Sequence, residues 1–145
     1  MSSVPSITYC AGYKFQLRED CCIQTRVYPS EVLKTELVQL HPDGTLVIRK
    51  YFAWDGCSGP TWDDKTNARA CLVHDALYYL MREGLLGIGW RDTVDDELMR
   101  IMLEDGAWWI RAWYYKMACH LFAAPCALAK SARKILTTPI RGFMT

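Results

Sequence analysis

Hydrophobic and polar positions alternate in the first third of the chain and then change period. Thr35-Glu-Leu-Val-Gln-Leu and Thr45-Leu-Val-Ile-Arg-Lys-Tyr-Phe flank His41-Pro42-Asp43-Gly44. Pro, Asp and Gly supply the conformations a tight turn needs, so these two runs predict an antiparallel hairpin. Residues 7–27 carry a weaker alternation that predicts one or two further strands. Past Trp54 the run Asp55-Gly56-Cys57-Ser58-Gly59-Pro60 breaks both periods and reads as a loop. From about Asp64 to Glu83 the apolar residues Ala68, Cys71, Leu72, Ala76, Tyr79 and Leu80 recur at steps of three and four, which predicts a helix. Asp63 or Asp64 is its expected N-cap and Gly84 its stop. A second helix is expected from Asp92-Thr93, with Val94, Leu98, Ile101 and Met102 on one face and Gly106 at its end. A third is expected from near Ala107 toward Leu121, and a short basic amphipathic helix over 127–136 follows Pro125.

These elements predict an α+β fold, with an N-terminal antiparallel hairpin or small sheet followed by a three-helix core. Residues 1–106 read as a single core domain, with the β part at 7–54 and the site-bearing helices at 63–106. Residues 107–145 read as an aromatic, basic helical extension. A length of 145 residues suits one domain, and an apolar fraction of 51% with 23% charged residues excludes a disordered or collagen-like chain.

Charge divides the chain unevenly. Residues 1–106 hold all 16 acidic residues and 11 basic ones, while 107–145 hold six basic residues and no acid. The basic end is therefore expected either to pack on its own acidic body or to meet an external partner. The aromatic run from Trp108 to Tyr115 reads as core or subunit interface ahead of a membrane belt. The apolar run 117–129 is interrupted by His120 and Pro125 and is too short to span a bilayer, and the N-terminus has no secretory pattern. Seven cysteines without a Cys-x-x-Cys pair read as buried thiols or as disulfides formed in a particle rather than as a zinc site.

The candidate chemistry centres on His74-Asp75 in the middle of the first helix. Adjacent helical positions point about 100° apart, so the two side chains address different targets, whereas Tyr78 shares the His74 face. Asp95 precedes Leu98 and Met102 by three and seven residues and so lies near the apolar stripe of the second helix. Asp96 is the adjacent alternative. A buried carboxylate that accepts from one imidazole nitrogen fixes the tautomer and leaves the other nitrogen as a general base. A buried polar cluster that joins loop and helices without catalysis is the competing reading. His41, in a turn, and His120, on an apolar helix with no acidic neighbour in sequence, are assigned no role.

The string Asp55-Gly56-Cys57, then Cys71-Leu-Val-His74-Asp75-Ala-Leu-Tyr78, resembles the core of secreted phospholipase A2 enzymes and more closely their shortened form in parvovirus capsid proteins, with Val94-Asp95 in the place of a second aspartate. Residues 45–106 also resemble a family of short phage and prophage proteins of unknown function, through Asp55 to Pro60, His74 to Tyr78, Arg91 to Asp95 and Gly106. The phospholipase resemblance implies that His74 deprotonates water and Asp95 orients it. It implies that Asp75 with Gly56, Ser58 and Gly59 binds calcium, and that Cys57 and Cys71 form a loop-to-helix disulfide. The chain departs from that family in lacking a Gly-x-Gly-Gly run and in placing Leu77 at a cysteine position. The phage-type resemblance implies a particle or tail protein, found in the virion or in the host cytoplasm before assembly. Other virion subunits are then its expected partners through 107–145, and a lipid or other envelope component its expected substrate. Nucleic acid is not an expected partner, although residues 127–141 are basic.

Overall fold

The computed structural model describes residues 15–54 and 66–122. Among the described residues the β part holds six short strands: β1 Phe15–Gln16, β2 Cys21–Gln24, β3 Leu33–Lys34, β4 Val38–Leu40, β5 Thr45–Ile48 and β6 Ala53–Trp54. Strands β2, β5, β4 and β3 form an antiparallel sheet in that order, and β1 pairs with β6 in a separate two-stranded ladder. The α+β architecture expected from the sequence is present. The helices are α1 Ala68–Arg82, α2 Arg91–Glu104 and α3 Trp109–Phe122, with a 3-10 turn, Ile88–Trp90, leading into α2.

The expected hairpin is β4–β5, with Leu40 opposite Leu46 and Val38 opposite Ile48. Alternation places Ile23, Leu33, Val38, Leu40, Leu46 and Ile48 on one buried face, while Cys22, Gln24 and Lys34 face outward. The turn closes through Gly44 N–H to the His41 carbonyl at 2.9 Å, and Asp43 Oδ1 accepts from Thr45 N–H at 2.9 Å. Gly44 has φ of +89°, and a Cβ there would lie 2.3 Å from the Thr25 carbonyl oxygen. Only glycine satisfies both the backbone angle and the close approach.

Helix α1 is the central element. Buried residues lie all round it, from Ala70, Val73 and Leu77 to Leu80 and Met81, which is why its apolar pattern is broad rather than a single stripe. It begins at Ala68 with Asn67 as N-cap, not at Asp63 or Asp64, and Gly84 ends it at φ +78°. Helix α2 begins at Arg91, so Asp92 lies inside its first turn rather than before it, and Gly106 follows its end at φ +98°. One continuous buried cluster joins the sheet to the helices, from Val27 and Ile48 through Leu77 and Leu98 to Tyr115. Phe52 meets Tyr79 of α1 edge to face at 6.0 Å. Glu97 of α2, almost fully buried, accepts the Arg26 N–H at 3.0 Å and is paired with Arg100. No described helix is long and apolar enough to cross a membrane. The expected strand in 7–14 and helix in 127–136 lie outside the described residues.

Replacing Gly44 with Ala is expected to cost about 2 kcal/mol or more, because the new methyl group meets backbone and the left-handed angle is strained. Urea denaturation of the variant measures this, and a loss below about 0.5 kcal/mol would show that the turn relaxes freely.

Candidate functional site

Two helices deliver side chains to one buried carboxylate carried by a third. His74 is the seventh residue of α1 and Tyr78 lies one turn on, so their rings stack at 4.3 Å. Both reach Asp95, in the second turn of α2, because α1 and α2 pack through their apolar stripes. His74 Nε2 lies 2.7 Å from Asp95 Oδ1, and the Tyr78 hydroxyl donates to the same oxygen at 2.8 Å. The other oxygen, Oδ2, faces His120 Nδ1 at 2.8 Å from α3. Asp95 has no exposed surface and His74 is 2% exposed. An ionised carboxylate only accepts hydrogen bonds, so His74 Nε2 and His120 Nδ1 are the protonated nitrogens when both rings are neutral.

Arg91 closes the group from the start of α2. Its Nε donates to the Tyr78 hydroxyl oxygen at 3.2 Å, and its Nη2 donates to the main-chain carbonyl of His120. Tyr78 therefore passes one donor to Asp95 while accepting another from Arg91. Burial and the neighbouring Asp95 raise the Tyr78 pKa, so the phenol stays protonated. For Asp95, burial works to raise the pKa, but hydrogen bonds from His74, His120 and Tyr78 outweigh it and hold the carboxyl below its ordinary value. For His74, burial works to lower the pKa, but the carboxylates of Asp75 and Asp95 outweigh it and raise it above the ordinary histidine value.

The sequence-derived candidates separate clearly. His74, Tyr78 and Asp95 come together. Asp75 lies beside them, its Oδ1 3.9 Å from His74 Nδ1, too long for a hydrogen bond and one-fifth exposed toward solvent. Asp96, the alternative to Asp95, faces away: its side chain is 61% exposed and pairs with Lys116 of α3. Tyr78 touches Asp95 rather than an open face. Gly56, Cys57, Ser58 and Gly59 lie outside the described residues. Cys71, the expected disulfide partner of Cys57, is buried on α1.

His120 is the principal correction. It has no acidic neighbour in sequence, yet it binds the central carboxylate directly. The buried positions of α3, Ala112, Tyr115, Ala118 and Cys119, recur at helical spacing, and His120 borders that face. That periodicity was the available signal, but the acid it meets sits 25 residues away on another helix. Arg91 was likewise legible only as part of a resemblance. Asp92, Asp95 and His120 also place one donor atom each within 4.8 Å of one another, and the mixed nitrogen and oxygen set suits a transition metal better than calcium.

No protein-family model matches the chain, and neither a curated protein nor a solved structure matches it.

Two outcomes follow from the buried carboxylate. Asp95→Ala leaves three donors without an acceptor and is expected to cost about 3–5 kcal/mol, measured by chemical denaturation. Because the Asp95 pKa is depressed, its contribution is present above about pH 4 and fades as pH falls through the folded value. Because the His74 pKa is raised, its contribution is full below about pH 6.5 and fades as pH rises through the folded value. The stability difference between the natural chain and His74→Gln should therefore peak between about pH 4 and 6.5. A difference that stays flat from well below about pH 4 to well above about pH 6.5 would remove the charge coupling.

Proposed function

We propose that the chain is a phage-type particle or tail-associated protein whose His74–Asp95 pair hydrolyses an ester or amide of the host envelope, in the manner of phospholipase A2. The supporting observation is the 2.7 Å contact from His74 Nε2 to a fully buried Asp95. It holds the imidazole so that Nδ1, the nitrogen away from Asp95, keeps a lone pair for a proton.

The reaction balances as a general-base hydrolysis. His74 Nδ1 takes a proton from water while the water oxygen bonds to the carbonyl carbon. The tetrahedral intermediate then expels the alcohol or amine, which recovers the proton from His74. Asp95 stays ionised and stabilises the imidazolium between the two steps. Tyr78 and His120 keep the carboxylate from turning, and Arg91 keeps Tyr78 and the end of α3 in place.

Calcium belongs to the same proposal. Asp75 offers a partly exposed carboxylate next to His74, and oxygen donors suit a hard cation, so Asp75 with Gly56, Ser58 and Gly59 would hold it. Bound there, the ion would supply electrophilic stabilisation of the carbonyl oxygen. The Cys57–Cys71 disulfide would tether that loop to α1.

The second reading is a non-catalytic virion component of tail, baseplate or connector, held to neighbouring subunits by its C-terminal helices and by disulfides. It is favoured by the outer face of α3. Trp108 is 80% exposed, Trp109 64% and Trp113 48%, while Tyr115 alone of the aromatic residues in that run is fully buried. Large exposed aromatic patches mark interaction surfaces. Both readings leave the protein in the virion, or in the host cytoplasm before assembly.

Purified protein is expected to release fatty acid from phospholipid vesicles when calcium is supplied. His74→Ala should lower the rate at least about 100-fold, the usual worth of a general base. Equal hydrolysis by the variant would end the catalytic reading. Its complete absence with every ester tested, beside stable binding to particle subunits through 107–145, would establish the structural one.

A further inference from the structure

A separate cleft of about 880 Å³ opens on the other side of α1, between the edge strand β2 and the helices α1 and α2. None of His74, Tyr78, Asp95 or His120 lines it. Its floor is apolar, built by Leu17, Ile23, Trp54 and Leu72, and its size falls within the range of small-molecule pockets.

The uncommitted polar group of the cleft is the Arg26 guanidinium. The indole of Trp54 stacks on Phe15 at 5.3 Å, and the residue is 8% exposed. Its Nε1–H is buried and has no hydrogen-bond partner. Such a donor costs stability unless an acceptor meets it, and buried indoles ordinarily find one. Arg26, on the rim, donates its main-chain N–H to Glu97, but no carboxylate stands within ion-pair distance of its guanidinium among the described residues. The other two arginines of the rim are occupied. Arg69 pairs with Glu104 and Asp105, and Arg100 pairs with Glu97 and Glu104. Glu104 is the one acid among the described lining residues, and both arginines neutralise it.

We infer that this cleft binds a small amphipathic anion: an apolar body laid on Ile23, Leu72 and Trp54, carrying a carboxylate or phosphate within reach of Arg26. A neutral apolar molecule would leave Arg26 unanswered, and a cation would meet a rim of three guanidinium groups and one neutralised acid. The inference does not depend on hydrolysis at His74.

The test is titration calorimetry of the full chain with octanoate, octyl phosphate and 1-octanol, each below its aggregation concentration. One or both anions should bind at one site per chain, and the stronger of them names the head group. Octanol should bind at least about tenfold more weakly, as expected for the loss of a charge-assisted contact. Arg26→Ala, a surface change, should weaken anion binding about tenfold, while His74→Ala leaves it unchanged. Absence of anion binding, equal binding of octanol, or binding that survives Arg26→Ala would each overturn the assignment.

Discussion

A single ionised oxygen pair, the carboxylate of Asp95, sets the arrangement of the helical half. Placed in a packed interior, it is tolerable only if donors surround it, because an unpaired buried charge costs several kcal/mol in practice. His74 and Tyr78 come from α1 and His120 from α3, so the three donors bind three helices to one point. Neutral apolar packing alone would leave the rotation of each helix less sharply defined. The geometry that orients the His74 imidazole is in this sense a by-product of satisfying a buried acid.

The same constraint explains the order within the cluster. Arg91 does not touch Asp95; it binds Tyr78 and the main chain of α3, holding a donor and a helix end. His74 is pushed toward its protonated form by two carboxylates, while Asp95 is kept ionised by three hydrogen bonds. Each side of the pair therefore stabilises the charge of the other. Elsewhere on α2, the second polar system of Glu97, Arg100 and Glu104 ties the helix to the segment after β2 and closes one wall of the cleft. Two polar groups thus lie on α2, one buried among the helices and the other at the wall of the cleft.

Local pattern made much of this legible. The Pro42-Asp43-Gly44 turn and the alternation around it placed the β4–β5 hairpin, since turn chemistry and period-two burial act over a few residues. The stripe formed by Leu98 and Met102 marked Asp95 as the inward acid and Asp96 as its neighbour, and Asp96 does face outward to Lys116. Helix starts were less legible. Asp63 and Asp64 are good capping residues by type, yet α1 begins after Asn67, because where a helix starts depends on the packing of its first turn as well as on the cap.

What the chain alone determined is the set of one-dimensional periods: an α+β order, a glycine-closed hairpin, three amphipathic or apolar helices and an imidazole in the middle of the first. Only the folded structure decided that His120 joins the carboxylate, that Arg91 holds Tyr78 and the end of α3, that the aromatic face of α3 stays exposed, and that Trp54 and Arg26 line one cleft. The reason is physical. Periodicity records which side of an element is buried, but hydrogen bonds between elements depend on helix separation and rotation, and those follow from packing all the layers at once.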